Sequence, residues 1–297
     1  MGNDHLLQQL RFARRHLSDI VDDLRDWVVA FDLYAFLHAA LNTHHLQLTV
    51  YRRSATILTF VTDRLRALAR AVKYVIVIAD GNNYPGKQDT LDKRARKDQL
   101  DVQFEALEKL VNANQFVVDD ESDAGKQIGE LSKAIARSIP MSLFLEVKAA
   151  IENLRLHNVE LRVAPYETDH QVQYLFERGD IQAVVGSDSD YLINGGRVLI
   201  TNFTVKSNKP DAFVYDMDWA HVEARRLNQL TDDDAVAAIQ KLYPGKTNEA
   251  RQKAARSAMP FIRLFSGCRD ALLGDNSVVC VCVCVCVCVC VCVCVCA

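Results

Sequence analysis

Four stretches of the chain share one pattern, an apolar and largely β-branched run that stops at an acid. They are WVVAFD ending at Asp32, YVIVIAD ending at Asp80, VELRVAPYE ending at Glu167, and IQAVVGSDSD ending at Asp188 and Asp190. Runs of this kind, separated by helical stretches, predict buried parallel strands. Apolar positions recur at helical spacing in 54–72, 144–157 and 170–179. The expected fold is therefore α/β, with a mainly parallel central sheet flanked by helices. A long polar stretch, roughly 84–142, is rich in Lys, Arg, Asp and Gln and reads as exposed helix with a polar turn at 119–126. After Phe203 the pattern predicts a second helical region containing DWAHVEARRLNQL and DDDAVAAIQKLY, which ends near FIRLFSGCRDALLGDN. No internal repeat is visible.

Composition changes this picture little. The 297 residues carry a net charge of -3 and a pI near 6.2, which neither demands nor excludes a polyanionic partner. Cysteine usage is more telling. Cys268 stands alone in the body and the other nine cysteines lie between Cys280 and Cys296. A body with one cysteine has no disulfide framework and fits a reducing compartment, nuclear or cytoplasmic. The N-terminus lacks the apolar core of a secretory signal, and Leu6 stands where a myristoylation signal needs Ser or Thr. From Val278 the chain alternates Val and Cys without a charge. Its length suits a membrane span, its period of two suits a sticky strand, and a translated GT dinucleotide repeat produces the same pattern. The repeat is the favoured reading, so that the natural continuation after Asp275 is expected to be missing.

The acids carry the candidate chemistry. In open α/β sheets ligands bind outside the carboxyl ends of the strands, so four acid-ended strands would bring their carboxylates to one crevice. Two carboxylates about 4 Å apart repel by roughly 4 kcal/mol at an effective dielectric near 20. Six together either take up protons or recruit cations. Hard, oxygen-seeking Mg²⁺ or Mn²⁺ suits such a set, and two ions can support an in-line phosphoryl displacement. Asp188 and Asp190, two apart, would project to the same side of an extended strand end. Glu167 and Asp169 sit where Pro165 closes a strand and a helix begins. Taken singly, each acid reads equally well as a cap, a turn or a first-turn residue favoured by the helix dipole. Acids at strand ends also describe phosphatases and response regulators.

The stretch APYETDHQVQYLFERGDIQAVVGSDSDYLINGGRVLI resembles the internal region of the flap-endonuclease/XPG 5′-nuclease superfamily. The likeness is strongest to the exonuclease-1 branch, whose motif reads like APYEADAQLAYL followed by EDSDLL. Upstream, MGNDHLLQQL resembles the family's Met-Gly start, FDLYAFLH its first acidic strand, and ADGNNYPGKQDTLDKRARK its Asp-Gly strand end with the basic helix that follows. The resemblance covers most of residues 1–205. It implies a PIN-like 5′-nuclease fold with a helical gateway insertion. The implied division is residues 1–99 as an XPG N-terminal-like region, 100–143 as gateway, 144–276 as an internal-like region, and 277–297 as the low-complexity tail. The implied metal ligands are Asp32, Asp80, Glu167, Asp169, Asp188 and Asp190, holding two Mg²⁺ ions, with Mn²⁺ as the substitute.

Lys87 and Arg94 fall on the family's two basic residues that reach the scissile phosphate, a role for which a point charge and a bidentate clamp are suited. Their spacing of seven also fits a solvated basic helix face. His38 falls on a position that packs against the terminal base of DNA; alone it reads as a core residue, as does Tyr34. Arg11, Arg14 and Arg15 are candidates for phosphate contacts or for a solvated basic turn. There are departures. The family's last metal-site Asp matches either Asp270 or Asp275, Ser187 stands where an acid usually precedes the second pair, and the downstream helix-two-turn-helix is absent. The resemblance implies a Mg²⁺-dependent structure-specific 5′ nuclease acting on DNA with 5′ ends, flaps or gaps, alongside repair or replication proteins in the nucleus and away from membranes. A non-cleaving DNA- or partner-binding homologue and a PIN-like ribonuclease are the alternatives.

Overall fold

The computed structural model describes residues 6–7, 10–82, 97–113, 122–136, 138–206 and 209–240, together with Thr247, Ala258 and Ile262. Seven strands form one sheet: β1 (Arg14–His16), β2 (Val28–Asp32), β3 (Tyr74–Ala79), β4 (Val159–Val163), β5 (Ala183–Val185), β6 (Val198–Lys206) and β7 (Lys209–Asp216). Their spatial order is β1-β7-β6-β5-β2-β3-β4. The five strands from β6 to β4 run parallel, and β7 and β1 are added antiparallel. The chain moves from β2 to β3 and β4 on one side, then returns to place β5 and β6 on the other. The order therefore switches between β2 and β5, the place where an open α/β sheet opens a crevice at its carboxyl edge.

Period-two alternation divides the sheet residues between two cores. Val29, Phe31, Val75 and Val77 face a core capped by Leu33, Leu37 and Leu41 of α1 (Leu33–Thr49), Ile57, Val61 and Leu65 of α2 (Ala55–Ala71), and Val147 and Ile151 of α5 (Met141–Asn153). Ala30, Ile76, Ile78 and Val184 face the opposite core. It is closed by Val172 and Leu175 of α6 (Thr168–Glu177), Tyr191 and Leu192 of α7 (Asp190–Ile193), Ala224 and Leu227 of α8 (Met217–Asn228), and Ala235 of α9 (Asp232–Gln240). Because both faces are covered, the central strands read as continuous apolar runs.

Two expectations need correction. The strand pattern does not stop at Phe203: β6 continues to Lys206 and β7 occupies 209–216, so the helices begin only at Met217. The VLITNFTVK run is β-rich and pairs with its successor as a hairpin, whereas the sequence reading placed the start of the helical region directly after Phe203. Second, β4 is an edge strand with half-buried side chains, not a buried one. Glu160 and Arg162 on it pair with each other, which suits an exposed edge.

The polar segment does contain helices, α3 (Lys97–Ala113) and α4 (Asp123–Ala136). Leu107 and Val111 of α3 pack on Ile128 and Ile135 of α4, and Leu46 and Val50 join them from the α1 end. A polar knot fastens the same junction. Ser132 Oγ lies 2.8 Å from His45 Nδ1 and 2.5 Å from Thr49 Oγ1, whose hydroxyl also reaches the His45 carbonyl at 3.0 Å. Ser132 is 0% exposed, so this serine–histidine pair is sealed from any substrate and acts as a fastener. Among the described residues no helix is long and apolar enough to cross a membrane. The Val-Cys tail, Lys87, Arg94, Asp270 and Asp275 all lie outside the described residues. Replacing Ser132 with Ala should lower unfolding free energy by about 1 kcal/mol in a denaturant titration, and an unchanged midpoint would refute the fastening role.

Candidate metal centre

Asp32 ends β2 and caps α1. Its backbone is extended (φ -73°, ψ 99°), and Oδ1 accepts the Ala35 N–H at 3.0 Å. Its other oxygen, Oδ2, accepts the Tyr191 hydroxyl at 2.7 Å. The carboxylate is thus held by one donor from its own helix and one from the element after β5. It is 7% exposed.

Asp80 follows β3, and its Oδ1 accepts the Thr168 N–H at 2.7 Å, at the first residue of α6. Three backbone bonds stitch the same two loops together: Ala164 N to Ala79 O at 2.8 Å, Gly81 N to Tyr166 O at 2.6 Å, and Asn82 N to Pro165 O at 3.2 Å. A Cβ on Gly81 would lie 1.8 Å from the Ala164 carbonyl oxygen, so only glycine permits this approach. The Asp-Gly pair is therefore a weld between β3 and the loop carrying Glu167, and not merely a turn. Glu167 is the N-cap residue of α6, without a side-chain capping bond, and Asp169 lies in the first turn. The acids are favoured there by the helix dipole and face the crevice as well.

Asp188 and Asp190 depart from the expected extended geometry. β5 ends at Val185 and α7 starts at Asp190, so the pair occupies a turn. Asp188 Oδ1 accepts the Asp190 N–H at 2.9 Å, which holds the turn closed.

Electrostatics shows which acids share the crevice. Burial pushes the Asp32 carboxyl up to about 6; the Ala35 N–H and the Tyr191 hydroxyl oppose the rise, and the charges of Asp80 and Asp169 add to it. Asp169 is also raised, first by burial, then by Asp188, against the Tyr191 hydrogen bond, with Asp80 and Glu167 contributing further. Five acids from the ends of four strands thus act on one another. Asp190 stands beside them through Asp188. Yet among the described residues no three Asp, Glu, His or Cys side chains stand close enough to form a ready ion cage. The carboxylates share a field without sharing a coordination shell; Asp32 and Asp80 are turned onto hydrogen-bond donors instead.

The donor set fits a hard dication. Every donor in it is an oxygen, and a cation would relieve the burial and repulsion that raise Asp32 and Asp169. The Thr168 hydroxyl, buried beside Asp80, has no hydrogen-bond partner among the described residues. Tyr34 and His38, one turn apart on α1, both feel Asp80 and so border the crevice. Burial lowers the basicity of His38, and Asp80 partly restores it. Only part of His38 is desolvated: the residue as a whole is exposed on the helix, outside the core. Tyr34 is half-buried against Phe144, ring centroids 6.2 Å apart. Arg14 and Arg15 lie on β1, with three strands between it and β2, and their guanidinium groups lie over Phe213 and Trp219. They are fastened to the far sheet edge, not to the acids.

Sequence reasoning missed Tyr191. The signal was present, since the chain reads DSDYL where the resembling motif reads DSDLL.

Residues 158–242 match the XPG I-region. The chain is 28% identical over 201 residues to the DNA damage-inducible protein DIN7 of Saccharomyces cerevisiae, covering 68% of this chain and 43% of that protein. It is 26% identical over 200 residues to exodeoxyribonuclease 1 of Schizosaccharomyces pombe, covering 67% and 32%. The catalytic core of Rad2 in complex with DNA substrate superposes with a TM-score of 0.48 at 16% identity, covering 85% of this chain and 67% of that one. The chain spans less than half the length of these two sequence relatives. The I-region match and the two sequence relatives bear out the resemblance to the XPG nuclease superfamily and to its exonuclease-1 branch.

Two outcomes follow from the geometry. The Asp32 carboxyl is raised on folding, so its proton favours the folded state. That stability is complete below about pH 3.8 and is lost as pH rises through about 6. In chelator, Asp32→Asn should therefore be more stable than wild type at pH 8, by up to about 3 kcal/mol for a shift of roughly two units. The difference should shrink towards pH 4 in thermal unfolding; a pH-independent difference would contradict the burial. Gly81→Ala should cost about 3 kcal/mol or more, because backbone must move to admit the Cβ, and a melting temperature within a degree of wild type would exclude the weld.

Proposed function

We propose that this chain, with its XPG I-region and exonuclease-1-like sequence, supplies the catalytic part of a divalent-metal-dependent, structure-specific 5′ nuclease. Its substrates are DNA phosphodiesters near 5′ ends, flaps or gaps, and its setting is repair or replication in the nucleus. One observation supports this above the rest: acids from four strand ends face the topological switch point, where burial and the charges of their neighbours raise the Asp32 and Asp169 carboxyls.

In this reading Asp32, Asp80, Glu167, Asp169, Asp188 and Asp190 hold two Mg²⁺ ions, or Mn²⁺ in their place. When bound, such ions lower the pKa of water and stabilise charge on the attacked phosphate and leaving oxygen. The rest falls to the chain's own residues. Asp32 and Asp80 keep fixed orientations through the Ala35, Tyr191 and Thr168 donors, so little reorganisation is needed when charge develops. Lys87 and Arg94 neutralise the scissile phosphate. His38 on α1, within the field of Asp80, receives the terminal base, which suits stacking on an aromatic ring. Residues 100–143 form the gateway for single-stranded 5′ ends, between an N-terminal region (1–99) and an internal one (144–276).

A second reading, a homologue that binds branched DNA without cutting, draws on the spread of the carboxylates into hydrogen bonds and on the absence of an ion cage among the described residues. A cleavage assay separates the two. The full chain is incubated with 5′-overhang, 5′-flap and single-stranded RNA substrates in Mg²⁺. Cleavage of the DNA substrates, abolished by EDTA and reduced at least about 100-fold in Asp188→Asn, is the expected result. Shifted but uncut DNA would favour the binding homologue, and preferred cleavage of RNA would select a PIN-like ribonuclease.

A further inference from the structure

Tyr191 is 2% exposed, and a buried phenol needs a hydrogen-bond partner. Its partner is an acid of the crevice: the hydroxyl donates to Asp32 Oδ2 at 2.7 Å, at the end of β2. The same phenol opposes the rise of the Asp169 carboxyl in the first turn of α6.

The surroundings fix the ring in that place. A Cβ on Gly186 would lie 3.2 Å from Tyr191 Cε2 and 3.5 Å from Asp32 Cβ, so the bare glycine backbone lets ring and carboxylate lie side by side. Behind it, the Gly196 N–H donates to the Tyr191 carbonyl at 2.8 Å, where a side chain on Gly196 would collide at 2.5 Å. Tyr191 is a post anchored by two glycine contacts and ending on Asp32. A leucine, which the resembling motif carries here, fills the space but leaves the Asp32 carboxylate without this donor.

We propose that Tyr191 is a positioning residue of the crevice, whose phenol orients Asp32 and so sets how tightly divalent cations are held. The proposal rests on the metal-dependent reading above. Groups that orient ligands from outside the coordination shell typically change metal affinity 10–100-fold.

The test measures Mn²⁺ binding to the full chain directly, from the electron paramagnetic resonance signal of the free ion, for wild type, Tyr191→Phe and Tyr191→Leu. Two variants are used because Phe keeps the ring packing and Leu supplies the motif's own residue. Affinity should fall about 10-fold in both. The Mg²⁺ concentration needed for half-maximal cleavage should rise in parallel, while KM for DNA stays within about twofold. Wild-type affinity in a folded variant would overturn the role of Tyr191 and leave the metal reading standing. A wild-type chain that binds no Mn²⁺ would overturn both.

Discussion

Repulsion among carboxylates is the constraint on which the crevice depends. Five acids act on one another at the carboxyl edge of the sheet, and Asp32 among them is buried beneath the others. A fold tolerates such an arrangement only by supplying donors, protons or cations. The donors are visible: the Ala35 and Thr168 N–H groups, the Asp190 N–H and the Tyr191 hydroxyl each hold one carboxylate oxygen. They stop short of neutralising the charge, which is why burial and repulsion still raise Asp32 and Asp169. The remaining demand for positive charge is what a metal-dependent activity would use.

The scaffold is built to hold the acids in place against that repulsion. Asp32 caps a seventeen-residue helix whose Leu33, Leu37 and Leu41 are fully buried, so moving the carboxylate means moving the core. Asp80 is tied to α6 across the Gly81 contact, and Asp188 closes its own turn. Asp32, Asp80 and Asp188 are therefore each held by a backbone N–H, the condition under which preorganised electrostatics is effective.

Much of this was legible in the chain itself. Strands buried on both faces leave apolar runs, and β2, β3 and β5 were readable for that reason. Helix spans at 55–71, 141–153 and 168–177 lie close to their apolar spacing. The β6–β7 hairpin was missed because a register shift between Thr201 and Thr204 breaks its alternation and Lys206, Lys209, Pro210 and Asp211 interrupt the apolar pattern around its tip. At the site, the acids were legible as residues at repeated places. Their hydrogen-bonding was not, since the Tyr191–Asp32 contact spans 159 positions and leaves no local trace. The turn at Asp188–Asp190 was misread as extended because i, i+2 spacing alone does not distinguish a strand end from a helix start.

The most direct test is a crystal structure of the full chain grown with Mn²⁺ and phased at the manganese edge. Anomalous peaks within about 2 Å of oxygens of Asp32, Asp80, Asp169 and Asp188, with Asp169 and Asp188 turned towards Asp32 and Asp80 and the Ala35 and Thr168 hydrogen bonds kept, are the expected result. A crevice that holds no manganese at saturating concentration, or manganese bound only at some other surface, would contradict the account.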